Sequence, residues 1–303
     1  MSILKGTKNF YDYGVNDQVA YNLKNRLMYG LLEMGAFTNV SSGTLQRSSA
    51  KVFEGLGAGW VWESGVRTID GSTSPYPVSG IYFNNAFYSV GTAVSGTYNS
   101  TWYVDYRNGR IVFNSDTPAN TVVKCSYSAR DVAIYLSDEP EWRIIVDNYL
   151  QRFAEINTTA PSGLASTLKR NRVWLPAIVI DMKDIDTEPL QLGGGEINNC
   201  SVFYHVFSDN AFSTKRLTDI ILEQDETSFP LYNINTAPFA LKYNGSLSSG
   251  AKDYVTLSSP TSPYFWTSVY LTETNGGYLN GDFEIHRSQF KQIAKVSRYN
   301  STY

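Results

Sequence analysis

One stretch of this chain, residues 174–222, combines strand and helix signals more densely than any other part. An apolar run over residues 175–180 predicts a buried strand. Pro176 donates no ladder hydrogen bond, so this strand is expected to begin there or to lie at a sheet edge. A second apolar and aromatic run, over residues 200–207, predicts another half-buried or buried strand.

A helix is predicted directly after the second strand. Leu217, Ile220 and Ile221 recur at helical spacing and give this helix one apolar face. Asp209 or Ser213 is the expected N-cap, because a short polar side chain there accepts a hydrogen bond from a free backbone N–H. The stretch therefore predicts a strand–loop–strand–helix unit.

The loop of that unit, residues 181–196, is predicted to be exposed, because acidic residues fill its first half and three glycines occupy residues 193–195. Its apolar residues are disfavoured in free solvent, so we expect a neighbouring subunit to cover them. The basic cluster at residues 169–172 of that neighbour is a candidate contact for the acids. The candidate interface residues are Asp181, Asp184, Ile185, Asp186, Glu188, Leu190 and Leu192 in the loop, and Lys169, Arg170 and Arg172 in the basic cluster.

Other interpretations of the same residues stay open. The loop and the basic cluster are equally typical of solvated surface. Cation binding is disfavoured, because the acids do not follow the calcium-loop pattern of a glycine at the sixth position and a closing glutamate. A phosphate cradle at the glycines is disfavoured too, since no Lys-Ser/Thr pair follows them.

The composition favours a β-rich protein with large contact surfaces. The 303 residues are enough for several domains, and a hydrophobic content of 42% is enough to build a sizeable core. Only 17% of residues are charged and the net charge is −3, which disfavours an electrostatic nucleic-acid binder. The 22 tyrosines and 15 phenylalanines are typical of strands and of interfaces.

The cysteine, histidine and acidic residues of the chain form no recognisable catalytic set. Cys125 and Cys200 are widely spaced and are expected to be buried thiols in strands. His205 lies in an apolar run and is expected in the core, and Glu284 beside His286 is weak evidence for an acid–base pair. We therefore expect no enzyme, no cofactor and no metal. The N-terminus lacks the apolar core of a signal peptide and no apolar run is long enough to span a membrane, so we expect a cytosolic product.

The N-terminal part predicts an extended arm over residues 1–15 and then a helix that Asn16 or Asp17 caps and that ends at Gly35. Its apolar stripe consists of Val19, Leu23, Leu27 and Leu31. Residues 44–136 then alternate in polarity with frequent turn residues, which predicts an inserted antiparallel β domain. Its expected strands lie at residues 61–63, 80–88, 102–113, 122–127 and 132–135.

The clearest turn signal in that region is Asn108-Gly109, which predicts a two-residue hairpin loop with both central residues at positive φ. The predicted pairs are Arg107 with Arg110, Tyr106 with Ile111, and Val104 with Phe113. On that register Val104, Tyr106, Ile111 and Phe113 share the core face, and Asp105 lies opposite Val112 on the other face.

Downstream, a helix is predicted to begin near Pro140 and to end near residue 156, before a polar linker over residues 157–167. Residues 239–300 are again β-like. The expected elements there are strands at residues 254–257 and 266–271, a turn at residues 275–277, and a segment over residues 286–297 that is either helix or strand.

These elements predict an α+β fold, with a small α/β domain, a large antiparallel β insertion and a β-rich C-terminal region. The expected boundaries are residues 1–43 for the arm and helix of the α/β domain, 44–136 for the β insertion, 137–235 for the rest of the α/β core, and 236–303 for the C-terminal region.

The strand–loop–strand–helix unit, together with the helix at residues 17–35, resembles the small α/β fold of tail-terminator proteins of tailed bacteriophages. The hairpin WYVDYRNGRIVF and the segment KCSYSARDVAIY resemble β insertions of phage structural proteins. The resemblance implies a tail-terminator-like fold and a structural virion protein in the neck, either a tail terminator or a head-to-tail connector. The long insertion departs from a minimal terminator and leaves a head-completion, collar or sheath-contacting protein open.

That resemblance also implies partners and a location. We expect a ring of identical subunits, with a hexamer favoured and a dodecamer as the alternative, between the connector, the tail tube and the tail sheath. DNA can pass through such a ring without sequence-specific contacts. The protein is then made in the host cytoplasm and located in the virion. The alternative is a β-rich receptor- or glycan-binding virion protein of the tail or baseplate, although the chain lacks the repeats typical of that class.

Overall fold

The computed structural model describes residues 12–96, 98–150, 173–191, 195–279 and 286–299, over which the chain is an α+β protein rich in strands. Its helices are α1 (Val15–Glu33), α2 (Pro140–Leu150), α3 (Ala211–Leu222) and α4 (Tyr254–Ser258). The strands before α2 are β1 (Phe37–Thr44), β2 (Gln46–Arg47), β3 (Val52–Glu54), β4 (Gly80–Phe83), β5 (Ala86–Ser89), β6 (Trp102–Asp105), β7 (Arg110–Phe113), β8 (Val123–Arg130) and β9 (Ala133–Leu136). The strands after it are β10 (Ala177–Gln191), β11 (Gly195–Ser208), β12 (Ser228–Tyr232), β13 (Phe265–Leu279) and β14 (His286–Tyr299).

The described strands form three sheets. The largest has six strands in the order β12-β13-β14-β11-β10-β9, in which β9 and β10 are parallel and the other neighbours are antiparallel. The other two sheets have four strands each, in the orders β1-β8-β4-β5 and β2-β3-β7-β6. Both are built from residues between α1 and β9, so the chain has an α/β core with an antiparallel β insertion.

Helices cover both faces of the six-stranded sheet around β10. On one face, Ile178 belongs to the same buried cluster as Ile221 of α3 and the apolar stripe of α1. On the other face, Val179 belongs to a cluster with Ile145 of α2. Successive side chains of a strand point to opposite faces, so a strand covered on both sides must be apolar at every position. This burial explains the uninterrupted apolar run over residues 177–180.

The β insertion has its own aromatic core between its two sheets. The ring of Phe113 meets the rings of Phe53 and Phe83 edge-on, with centroids 5.7 and 5.6 Å apart. Trp60 is buried and stacks on Tyr127 at a centroid distance of 4.0 Å. Such pairs stabilise a core beyond the area that they bury, which explains the large aromatic content of the chain.

The N-terminal helix and the helix after β11 are confirmed, but their caps differ from the prediction. The sequence predicts Asn16 or Asp17 as the cap of α1, and Asp209 or Ser213 as the cap of α3. In the structure Gly14 is the N-cap of α1, and the Asp17 carboxylate accepts a hydrogen bond from the Gly14 N–H at 3.0 Å. In α3 the Asn210 side chain accepts from the Ser213 N–H at 2.7 Å, so the cap lies between the two predicted residues.

Two strand predictions in the insertion are wrong. Residues 61–63 lie outside any strand, and only Trp60 beside them forms an isolated bridge. Residues 80–88 form two strands, because Asn84 and Asn85 adopt positive φ values of 47° and 71° and reverse the chain between β4 and β5. Asparagine tolerates this left-handed conformation better than most residues, so Asn-Asn was a turn signal that the sequence interpretation missed.

The hairpin around Gly109 is present, but its predicted register is wrong by two residues. Val104 pairs with Ile111 and Trp102 with Phe113, so the loop has four residues instead of two. A shift by two keeps each side chain on its face, and Val104, Tyr106, Ile111 and Phe113 are all buried as predicted. The buried Asp105 sets the longer loop, because its carboxylate accepts from the Asn108 N–H at 3.1 Å and from Arg110 Nε at 2.7 Å.

The last strand of the predicted insertion belongs to another sheet. Residues 132–135 were expected to continue the inserted sheet, but β9 pairs in parallel with β10 from Ala133–Ala177 to Leu136–Ile180. Ile134 and Tyr135 lie in the two different clusters on either face of the six-stranded sheet. A strand that is apolar on both faces requires a sheet covered on both sides, and only the six-stranded sheet offers one here.

The C-terminal region contains two further differences from the prediction, and the structure decides one alternative that the sequence left open. Residues 254–257 belong to the short helix α4, whose N-cap Asp253 accepts from the Thr256 N–H at 2.8 Å. The glycines at residues 276 and 277 lie inside β13 and do not form a turn. The segment over residues 286–297, left open from the sequence, is the strand β14.

Some predictions fall outside the described residues, namely the arm up to residue 11, the end of the helix near residue 156 and the linker over residues 157–167. Among the helices that the structure describes, none has the length and the apolar character needed to cross a membrane.

Candidate assembly interface

The segment predicted as an exposed loop is a long β-hairpin instead. β10 pairs with β11 from Ala177–Phe207 to Gln191–Gly195, so most of residues 181–196 lie in strands. The prediction failed because the acids were interpreted as loop formers. Residues 184–188 in fact alternate between acidic and uncharged side chains, which is the two-residue period of a strand, and both sets of side chains are exposed.

Two long hairpins join to form a four-stranded arm. β14 pairs with β11 along its whole length, from His286–Ser208 to Tyr299–Gly195, and β13 pairs with the other side of β14. The flanking strands are much shorter. β9 pairs only with residues 177–180 of β10, and β12 pairs only with residues 265–270 of β13. The arm, in the order β13-β14-β11-β10, therefore extends beyond β9 at one end of the sheet and beyond β12 at the opposite end.

Both sides of this arm end in an open strand edge, judged from the described residues. Residues 181–191 of β10 have β11 on one side and no described strand on the other. Residues 272–279 of β13 have β14 on one side and likewise no described strand on the other. An open edge presents unpaired N–H and C=O groups to which another strand can be added.

The β10 edge carries most of the predicted interface residues. Asp184, Ile185, Asp186 and Glu188 are exposed on it, and 43% of the Ile185 surface is accessible. Asp181 was expected to be exposed, but it is buried and forms an ion pair with Lys183 at 2.5 Å. Leu190 lies in β10, whereas Leu192, Lys169, Arg170 and Arg172 lie outside the described residues.

Irregularities on both edges restrict which strands can be added. In β10 the register shifts between Met182 and Ile185, and Pro189 lies opposite Glu196 near the tip. In β13 the register shifts between Thr272 and Asn275. Bulges, proline and charges on an edge strand discourage unspecific pairing. These edges therefore favour a partner of matching shape over a random one.

The face of the arm opposite α1 and α3 is mixed, because it carries lysines beside Phe203 and Ile293. Cys200, Phe290 and Ala294 point to the helices, so their neighbours along β11 and β14 point away. Lys291 and Lys295 lie on that opposite face, and Lys295 is 3.4 Å from Glu273.

His205 lies on the same face, at the base of the arm, and is buried. Its ring stands 5.1 Å from that of Trp142, and its Nδ1 is 3.1 Å from Arg287 Nη2. Burial, reinforced by Arg287, lowers the pKa of His205 to about 4, although Asp181 opposes this shift. His205 is therefore neutral at neutral pH.

The two cysteines are confirmed as buried thiols in strands, Cys125 in β8 and Cys200 in β11. Burial raises the pKa of each thiol to about 12. A thiol that stays protonated is a poor nucleophile and a poor metal ligand. Within the described residues, no three or more His, Cys, Asp or Glu side chains are grouped so that they could hold a metal ion.

No family model and no curated protein matches the sequence. The arm and its edges are therefore interpreted from their own geometry.

Proposed function

We propose that the protein is a structural virion component of a tailed phage, and that it forms a closed ring in the neck through its four-stranded arm. The observation that carries this proposal is the pair of unlike open edges on one sheet, residues 181–191 and residues 272–279. A contact between two different patches on identical subunits is heterologous, and such contacts generate rings when the rotation closes.

The strand directions support this arrangement. The four strands alternate in direction, so β10 and β13 run antiparallel to each other. Identical copies placed side by side, with the same end up, therefore bring β10 of one copy antiparallel to β13 of the next. Every junction then has the same antiparallel pairing as the arm itself, where residues 181–184 of β10 lie level with residues 272–275 of β13.

The position of the helices determines which face would line the channel. α1 and α3 cover one face, whereas α2 covers only the base of the other face around His205 and Phe207, so the face with α1 and α3 is placed on the outside of the ring. The opposite face, with Lys291, Lys295 and Asn199, then lines the lumen. A wall that carries lysines lets DNA pass without reading its sequence, because sequence is read through groove contacts to base edges. The tail tube, the tail sheath and the connector are the proposed neighbours above and below.

A cysteine cross-link tests the junction directly. We propose four double variants that combine Ile185→Cys or Thr187→Cys on β10 with Thr272→Cys or Asn275→Cys on β13. Within one chain β11 and β14 separate these strands by about 14 Å, three inter-strand spacings. A disulfide needs Cα atoms within about 7 Å, so only a bond between two copies can form. We expect at least one pair to give, on oxidation, a ladder of covalent oligomers that ends at the ring.

Each single-cysteine variant is the matched control, and the native Cys125 and Cys200 are buried and do not interfere. Native mass spectrometry of the same samples gives the subunit number, for which six is favoured. A protein that stays monomeric under all conditions contradicts the ring. An oligomer that none of the four pairs cross-links contradicts the edge-to-edge junction.

A further inference from the structure

A cleft lies where the β insertion meets α1 and the segment 240–243 of the C-terminal region. Its volume is ≈ 260 Å³, slightly below the usual range for ligand pockets. Junctions between structural units are common places for binding sites, because walls from separate elements converge there. The cleft does not involve the arm or its open edges.

Aromatic side chains form the walls of this cleft. Trp60, Trp62 and Tyr106 line it from the β insertion, and Tyr21 lines it from α1. Tyr243 stands at the rim with its side chain fully exposed. An exposed aromatic ring at the mouth of a concave site is an apolar surface that no part of the described chain covers. Ring faces of this kind stack on flat apolar groups of a ligand.

Acidic and basic side chains, joined in ion pairs, lie between these aromatic walls. Lys24 Nζ is 2.6 Å from Glu139, and Arg107 Nη2 is 2.9 Å from the same carboxylate. Across the cleft Arg130 Nη2 lies 2.5 Å from Glu63 Oε1. Each acid is thus matched by at least one base, and Lys242 also lines the cleft, so the cleft offers donors and acceptors with a small excess of bases.

These pairs are also held in place before any ligand arrives. The Glu139 carboxylate accepts a further hydrogen bond from the Leu136 N–H at 2.9 Å, and Lys24 and Arg107 keep its pKa below the ordinary value despite burial. Arg130 Nη1 donates to the Met28 carbonyl at 3.1 Å. A site whose polar groups are already fixed loses less entropy when it binds.

We propose that this cleft binds a neutral, polyhydroxylated ring, that is, one or two residues of an uncharged carbohydrate. A hydroxyl group both donates and accepts, so it can bond to Lys24 or Arg107 and to Glu63 or Glu139 alike. The apolar C–H face of a sugar ring fits the aromatic walls. An anion would meet Glu63 and Glu139, and a cation would meet the four bases that line the cleft, so a charged ligand fits less well.

This site goes beyond the proposed ring and does not depend on it. A virion protein with a sugar site on each subunit would present many copies around the ring, and weak individual contacts then add up to strong attachment. The cleft is lined from α1 and the β insertion, whereas the ring would close through the arm. Failure of one proposal therefore leaves the other to be judged on its own experiment.

The test is a titration of the full-length protein with glucose, galactose, N-acetylglucosamine and their disaccharides. Binding is followed by saturation-transfer NMR and by tryptophan fluorescence, because Trp60 and Trp62 line the cleft. We expect saturable binding of at least one neutral sugar. Trp62→Ala should weaken it at least tenfold, and Tyr243→Ala, which removes a fully exposed ring and should not disturb folding, should weaken it severalfold.

Phe212→Ala is the matched control, because Phe212 is an exposed aromatic residue on α3 that does not line the cleft. Glucuronate, glucosamine and a proline-rich peptide are titrated in parallel. Circular dichroism checks that each variant is folded. The proposal is overturned if no neutral sugar binds, if binding is the same in Tyr243→Ala and in folded Trp62→Ala as in the native protein, or if the charged sugars or the peptide bind more tightly.

Discussion

At the residue scale, the turn at Gly109 was predicted correctly, but the pairing of the two strands around it was wrong by two residues. Asn-Gly predicts a two-residue loop. The Asp105 carboxylate accepts hydrogen bonds from Asn108 and Arg110, and the loop has four residues. Gly109 still needs its φ of +62°. The sequence shows where the chain turns, whereas the register depends on a buried side-chain hydrogen-bond network that no local pattern reveals.

We expect Gly109→Val to destabilise the β insertion strongly. Valine disfavours the left-handed φ at a cost of about 1–3 kcal/mol. A side chain would also strike the Gly57 carbonyl and lie only 2.8 Å from Nε1 of the buried Trp60. Gly71→Val is the matched control, because Gly71 has a φ of +69° with open space around it. Urea unfolding should show a clearly larger loss for Gly109→Val. Equal losses would mean that the packing around Gly109 is not as described.

At the element scale, burial decides which strands the sequence reveals. Residues 175–180 and 200–207 were predicted as strands because they lie in the covered part of the six-stranded sheet. The outer parts of β10 and β13 leave that cover, so polar residues and glycines replace the apolar pattern. Hydrogen bonds to neighbouring strands hold them extended, and pairing across distant segments leaves little trace in a local window.

The two adjacent glycines of β13 provide a test of the arm. A Cβ at Gly276 would lie 2.5 Å from the Gln289 carbonyl and from the Phe290 ring, whereas a Cβ at Gly277 meets nothing within 4 Å. We therefore expect Gly276→Ala to separate β13 from β14 and to expose the amides of the arm, and Gly277→Ala to be neutral. Hydrogen exchange of the arm amides measures the difference. Equal protection in both variants would contradict the pairing of β13 with β14.

At the scale of the whole molecule, the general architecture followed from the sequence, but the connections between its parts did not. An α/β core with an antiparallel insertion was predicted, yet the strand at residues 133–136 was assigned to the wrong sheet. The contacts that join the insertion to the core are long-range, such as the ion pair of Arg107 with Glu139 and the hydrogen bond that Arg130 donates to the Met28 carbonyl of α1. Single charged residues in a sequence do not indicate their partners, so the cleft between the two parts was not predicted either.

The segment around Gly245 holds the C-terminal region against the β insertion. The Gly245 carbonyl accepts from the Tyr106 N–H at 2.9 Å, and a Cβ at Gly245 would collide with the buried Asp105 carboxylate. Gly250 has the same φ of +81° but open space around it, so the backbone cost of alanine is equal at the two positions. We expect Gly250→Ala to cost only that conformational strain, about 1 kcal/mol. Gly245→Ala should cost more and should release residues 240–248 from the insertion, which limited proteolysis will show as new cleavage there. If both variants resist protease equally, this segment does not hold the two parts together.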